Sequence, residues 1–80
     1  MIHSLDILEQ FFEEILLDIK LFEVRKDKDE RVFSIGDTLV LREVNNHPFE
    51  HIPTGRTMDV EVTYISSYIP GYKILQIKKV

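Results

Sequence analysis

The sequence predicts a small α+β domain in which one amphipathic helix near the N-terminus packs on a mostly antiparallel β-sheet. Apolar residues recur at helical spacing over residues 7–18. From Lys20 onward the apolar period shortens to two. Most of the strand-like segments that follow are joined by stretches too short to hold a crossover helix, which favours antiparallel pairing.

In order along the chain, Ile2 to Leu5 has the composition of a short strand. Asp6 offers an N-cap oxygen and Glu9 follows three residues later, the capping-box spacing. Leu8, Phe11, Phe12, Ile15, Leu16 and Ile19 form the apolar stripe of the helix, with Glu9, Glu13, Glu14 and Asp18 mostly on its other face. Residues 20–26 alternate as a strand, with Phe22 and Val24 on one side and Glu23 and Arg25 on the other. Lys26 to Arg31 is a charged loop, and Phe33 to Asp37 is a turn in which Gly36 supplies a positive φ. Thr38 to Val44 is a strand. Asn45 to Gly55, with two prolines, two asparagines and a glycine, reads as a long loop. Thr57 to Ile65 alternates, placing Met58, Val60, Val62 and Tyr64 inward and Asp59, Glu61 and Thr63 outward. Pro70-Gly71 marks a turn before a last strand, Tyr72 to Lys79. Such a sheet can stay open or curl into a small barrel that removes its edges.

With 80 residues the chain has room for one domain. At 44% hydrophobic and 30% charged it has a globular composition. It contains no cysteine, so disulfides and thiolate metal sites are excluded. No apolar run approaches a membrane span and no signal peptide is evident, so a cytoplasmic monomer is expected. The net charge of −4 counts against a non-specific nucleic-acid binder. The charge is uneven, however: residues 1–19 carry five acids and no Lys or Arg, whereas residues 20–80 carry nine acids and ten bases. The second part can therefore present a basic face.

The stretch Asp18-Ile-Lys20-Leu-Phe-Glu23-Val-Arg25 resembles the signature of ASCH domains, Gly-x-Lys-x-x-Glu-hydrophobic-Arg after a helix. Lys20, Glu23 and Arg25 match it, and Asp18 stands where that pattern has glycine. Together with Val32-Phe-Ser-Ile-Gly-Asp37, Leu39-Val-Leu-Arg-Glu43, Thr54-Gly-Arg56 and Gly71-Tyr-Lys-Ile-Leu75, nearly the whole chain resembles a bacterial and phage family called domain of unknown function 3850. The resemblance implies a small PUA-like (ASCH-like) β-barrel flanked by the helix. It also implies a cleft between helix and barrel, lined by the charged motif, where RNA or a nucleotide binds. With Asp18 in place of glycine, the turn into the strand must adopt another geometry or hold Asp18 in a costly one.

The candidate ligand-binding residues are Lys20, Glu23, Arg25, Arg42, Arg56 and Tyr68. A guanidinium held by a carboxylate is a preformed fork for a phosphate or a base edge. The alternative for Glu23 and Arg25 is a surface ion pair of small value. Arg42 and Arg56 extend the positive cleft. Lys26 is better read as solvated charge. Tyr68, in a loop, is the better stacking candidate, with Phe49 second, while Tyr64 and its strand face belong to the core. His47 and His51 are four apart but flank Pro48 in a loop, which disfavours a metal site. Asp37 is expected to order its turn. No cofactor or metal is expected, and a binding module is favoured over an enzyme. An amidohydrolase acting on N4-acetylcytidine is the enzyme alternative. The resemblance would then make Lys20 catalytic, but Glu23 occupies the position of the required threonine. A protein-interaction module using the acidic helix face is the third reading.

Overall fold

A computed structural model describes residues 1–26, 32–48 and 50–80. The elements run β1 (Ile2–Leu8), α1 (Glu9–Leu16), β2 (Phe22–Lys26), β3 (Thr38–Asn46), β4 (His51–Ser66) and β5 (Tyr72–Lys79). The five strands form one mixed sheet in the order β1-β3-β4-β5-β2. β1 lies parallel to β3 and the other neighbours are antiparallel. The sheet curls into a half-barrel. It stays open between β1 and β2, which are its two edges, so the closed barrel expected from the resemblance is not formed.

The core lies on the concave face. Leu5 and Ile7 of β1, Leu39 and Leu41 of β3, Val60 and Val62 of β4, and Leu75 and Ile77 of β5 point into it. α1 closes it with Phe12 and Ile15. This is the period-two and helical patterning at work: each strand buries alternate residues, and the helix buries one stripe. No helix among the described residues is long and apolar enough to cross a membrane.

Three sequence expectations change. First, Asp6 does not cap the helix. Pairing with β3 extends β1 to Leu8, so the N-cap is Leu8 with no side-chain cap bond, and the helix starts at Glu9 instead of residue 7. The Asp6 carboxylate instead accepts from Arg42 Nε at 2.8 Å. Second, most of the expected 45–55 loop is strand. β3 runs to Asn46 and β4 starts at His51, with Pro53 opposite Val44. Pro53 is tolerated because β5 pairs with β4 only from Val60 onward, so this end of β4 has a neighbour on one side only. Third, Tyr64 is not in the core. The β4–β5 register slips between Val62 and Tyr64, Ile65 turns inward in its place, and Tyr64 is 49% exposed. An extra residue in one strand reverses the faces of all that follow it.

α1 ends in a Schellman arrangement. Ile19 N–H donates to the Glu14 carbonyl at 2.8 Å and Asp18 N–H to that of Ile15 at 3.0 Å. Asp18 occupies the left-handed position with φ of 60°. The chain thus keeps the turn that glycine would make and accepts the steric cost of a side chain there. Lys79 Nζ steadies this end, 2.8 Å from the Leu16 carbonyl and 3.3 Å from the Asp18 carboxylate.

Candidate functional site

The turn at Asp18 delivers Lys20 and β2 to the end of α1. A cleft of about 420 Å³ opens there, lined by Phe11, Glu14, Ile19, Lys20, Phe22, Glu23 and Val24. Its wall is largely apolar. Lys20 Nζ lies 4.4 Å from the Phe11 ring centroid and 5.6 Å from that of Phe22, a two-sided cation–π contact. It is also 3.7 Å from Glu23 Oε1.

Glu23 is the unusual residue. Strand alternation points it to the concave side opposite Leu75, and its side chain is only 8% exposed. Its Oε1 accepts the Val24 N–H at 3.1 Å. Its Oε2 is buried without a hydrogen bond, 3.8 Å from Arg25 Nη2. Both cations sit beyond hydrogen-bonding distance, so this acid is surrounded by charge but incompletely bonded. Such groups are uncommon in native interiors because desolvation is only partly compensated.

Arg25 stands behind Glu23 and does not line the cleft. Its Nη2 donates to the Asp6 carbonyl at 2.8 Å, while its Nε is buried without a partner. Asp6 is on β1 and Arg25 on β2, so this side chain ties the two open edges of the half-barrel together.

The remaining candidates lie elsewhere. Arg42 is exposed and ion-paired with Asp6 at 2.8 Å. Arg56 belongs to a separate cluster around the buried Glu43 of β3. There the register slips, and Thr54, Gly55 and Arg56 of β4 bulge past Glu43, with Gly55 at φ 95°. The Thr54 hydroxyl donates to Glu43 Oε1 at 2.6 Å, and Arg56 Nη2 donates to Glu43 Oε2 at 3.0 Å. Thr54 chiefly, then Arg56, holds the Glu43 carboxyl below its usual range against the opposing effect of burial. Arg56 also reaches Glu13 at 3.3 Å and covers the Phe12 ring at 4.7 Å, so it fastens α1 to the sheet. Tyr68 is 82% exposed between β4 and β5, away from the cleft lining. Lys26 is exposed at the end of β2. Phe49 and most of the charged loop, residues 27–31, lie outside the described residues. His47 and His51 flank the β3–β4 connection, and no three His, Asp or Glu side chains converge as metal ligands among the described residues.

Asp37 orders its turn by accepting Ser34 N–H at 2.9 Å, and it does more. It also takes His3 Nε2 at 2.8 Å and the Met1 amine at 2.9 Å. The His3 bond first, then those from the amine and Ser34, lower its pKa from 3.8 to about 2. The sequence gives no sign of the His3 and Glu43 clusters, because both depend on partners at least eleven residues away.

A family described as domain of unknown function (DUF3850) matches residues 2–77. The chain belongs to this family. The match takes in the helix and every strand but the last two residues of β5, so the cleft, the Arg25 tie and the Glu43 cluster all fall inside the DUF3850 domain. No curated protein matches the chain.

Proposed function

We propose that this DUF3850 domain is an ASCH-like member of the PUA-like group that binds RNA or a nucleotide in the cleft between α1 and β2. The observation that carries the reading is Glu23, a nearly buried acid beside Lys20 in a cleft whose wall is largely apolar. Ligand pockets typically combine apolar walls with a few convergent polar groups, at volumes of roughly 300–1,000 Å³. Phe11 and Phe22 offer ring faces to a base, Lys20 a cation and Glu23 an acceptor for a base amine. Arg25 acts from behind, fixing Glu23 and the barrel seam. No serine or threonine lines the cleft among the described residues, which favours binding over acyl transfer through a hydroxyl nucleophile.

The test is an NMR titration of the labelled protein with short single-stranded RNAs and with nucleosides. Shifts should cluster at Phe11, Glu14 and residues 19–24, and Lys20→Ala should weaken binding roughly tenfold, about 1.4 kcal/mol. The absence of shifts with every ligand, or shifts that Lys20→Ala leaves unchanged, would refute the reading.

A further inference from the structure

The cleft between α1 and β2 is not basic. Its lining carries two acids, Glu14 and Glu23, and one lysine, Lys20, so its formal balance is −1. Arg25, Arg42 and Arg56 all lie outside the lining. Lys20 is itself held 3.7 Å from Glu23 and between the Phe11 and Phe22 rings. A phosphate entering here would meet a net like charge against a largely apolar wall, where ions are costly to desolvate. The part of a nucleotide that suits this cleft is therefore its base.

Two groups of the lining have hydrogen-bonding capacity to spare. Glu14 is half-buried on α1, and its carboxylate makes no hydrogen bond or ion pair among the described residues. Ionised, it offers two acceptor oxygens and no donor. Lys20 Nζ also makes no hydrogen bond among the described residues, although its side chain is only 12% exposed. The backbone brings these two residues together, since the Glu14 carbonyl accepts the Lys20 N–H at 3.1 Å in the turn after α1. Around them Ile19, Phe22 and Val24 are exposed and give the cleft an apolar wall for a flat ring.

The complement of an unpaired carboxylate beside an unpaired ammonium is a flat, uncharged ring with one acceptor next to two adjacent donors. Guanine has that edge, with O6, N1–H and the N2 amine in sequence. N1–H and N2–H can share the two oxygens of one carboxylate while O6 accepts from the ammonium. Adenine and cytosine carry a ring-nitrogen acceptor beside their amine, which would face a carboxylate oxygen. Uracil has a single donor between two acceptors.

We infer that the cleft is specific for the guanine edge, with Glu14 accepting from N1–H and N2–H, Lys20 donating to O6, and the phosphate left outside. The inference rests on the RNA-or-nucleotide reading above and names its ligand class. Glu23, 3.7 Å from the Lys20 ammonium, positions it.

The labelled full chain is titrated by NMR with guanosine, inosine, adenosine, cytidine and uridine, and with guanosine monophosphate. Inosine is guanosine without the N2 amine. Guanosine should bind about 5- to 150-fold tighter than inosine or uridine, the range for one bidentate base contact. The monophosphate should bind no tighter than the nucleoside. Glu14→Gln, at a half-exposed helix position, should bring guanosine and inosine to nearly equal affinity; the inosine comparison itself needs no variant. Hexauridylate with one central guanosine separates the sources: tighter binding than guanosine assigns unpaired RNA, equal or weaker binding the free nucleoside, and either supports the edge. Equal affinity for guanosine, inosine and uridine, with shifts in the cleft, would overturn the inference and leave the binding reading standing. So would a monophosphate that binds tighter than guanosine, or a guanosine preference that Glu14→Gln leaves intact. Free arginine that shifts the same residues as strongly as guanosine would make the cleft a cation site and overturn the inference. No shift with any nucleoside or RNA would overturn both readings.

Discussion

Arg25→Met should cost about 2–4 kcal/mol, and most of that cost should disappear when Glu23→Leu is made with it. Two losses add. The Arg25–Asp6 bond, 2.8 Å long and charge-assisted, is worth about 1.5–3 kcal/mol when protected. Arg25 is 29% exposed, so solvent moves it to the lower end of that range. Removing the guanidinium also leaves Glu23, 8% exposed, with Lys20 as its remaining cation, and an orphaned buried polar group costs roughly 1–3 kcal/mol. In a domain this size, 1 kcal/mol moves the melting temperature by about 4–8 °C. The single variant should therefore melt roughly 10–25 °C lower. In the double variant the acid is gone and leucine fills the concave side opposite Leu75, so only the seam bond is missing. Urea unfolding followed by far-UV circular dichroism measures both variants, and the double-mutant cycle gives the coupling. If Arg25→Met lies within about 0.5 kcal/mol of wild type, or the two changes are additive, Glu23 and Arg25 are an ordinary surface pair and the buried-acid reasoning fails.

Three further outcomes follow from single residues. Asp18→Gly should raise stability by up to about 1 kcal/mol, because glycine takes the left-handed turn without Asp18's steric cost and the exposed contact to Lys79 is worth little; a loss in thermal unfolding would show that contact to matter more. Gly55→Ala should cost about 1 kcal/mol through its φ of 95° alone, since an added Cβ meets nothing within 4 Å; a neutral urea midpoint would contradict it. Asp37 has its pKa depressed from 3.8 to about 2, so its contribution is complete above the unfolded value and is lost as pH falls from about 4 to 2. The fall in urea midpoint across that window should flatten in Asp37→Asn, and an unchanged slope would assign acid sensitivity to other groups.

Much of the architecture is readable locally. Leu39 and Leu41, Val60 and Val62, and Leu75 and Ile77 sit two apart, and each pair is buried on the face that alternation assigns. Phe12 and Ile15 are likewise on the buried side of the stripe. The errors occur where a distant strand overrides a local signal. Asp6 and Glu9 have correct capping spacing, but β3 recruits residues through Leu8 into a parallel ladder, which moves the N-cap to Leu8 and leaves Asp6 two residues short of it. Asn45, Asn46 and Pro53 have turn chemistry, but the β3–β4 ladder absorbs all three, and Gly55 uses its own in the bulge opposite Glu43. The cluster at Lys20, Glu23 and Arg25 was legible because its members lie within six consecutive residues. That Glu23 is buried and Arg25 reaches β1 was not, since both follow from the curl of the sheet.

The two slips in the ladder place side chains where a period-two reading cannot. At Glu43, three residues of β4 pass one of β3, and the surplus backbone lets Thr54 and Arg56 turn back onto the acid. The result is a satisfied buried carboxylate, and it holds α1 through Arg56 and Glu13. At Thr63 a single extra residue reverses β4, and the exchange places Ile65 against the core and Tyr64 on the surface. Without that residue, Tyr64 would be one more core side chain. The contrast with Glu23 is physical: Glu43 has its hydrogen bonds and serves the fold, whereas Glu23 lines the cleft and keeps one buried oxygen, on its Arg25 side, without a hydrogen bond. The domain thus satisfies one buried acid with a bulge and leaves a second, three strands across the sheet, incompletely bonded.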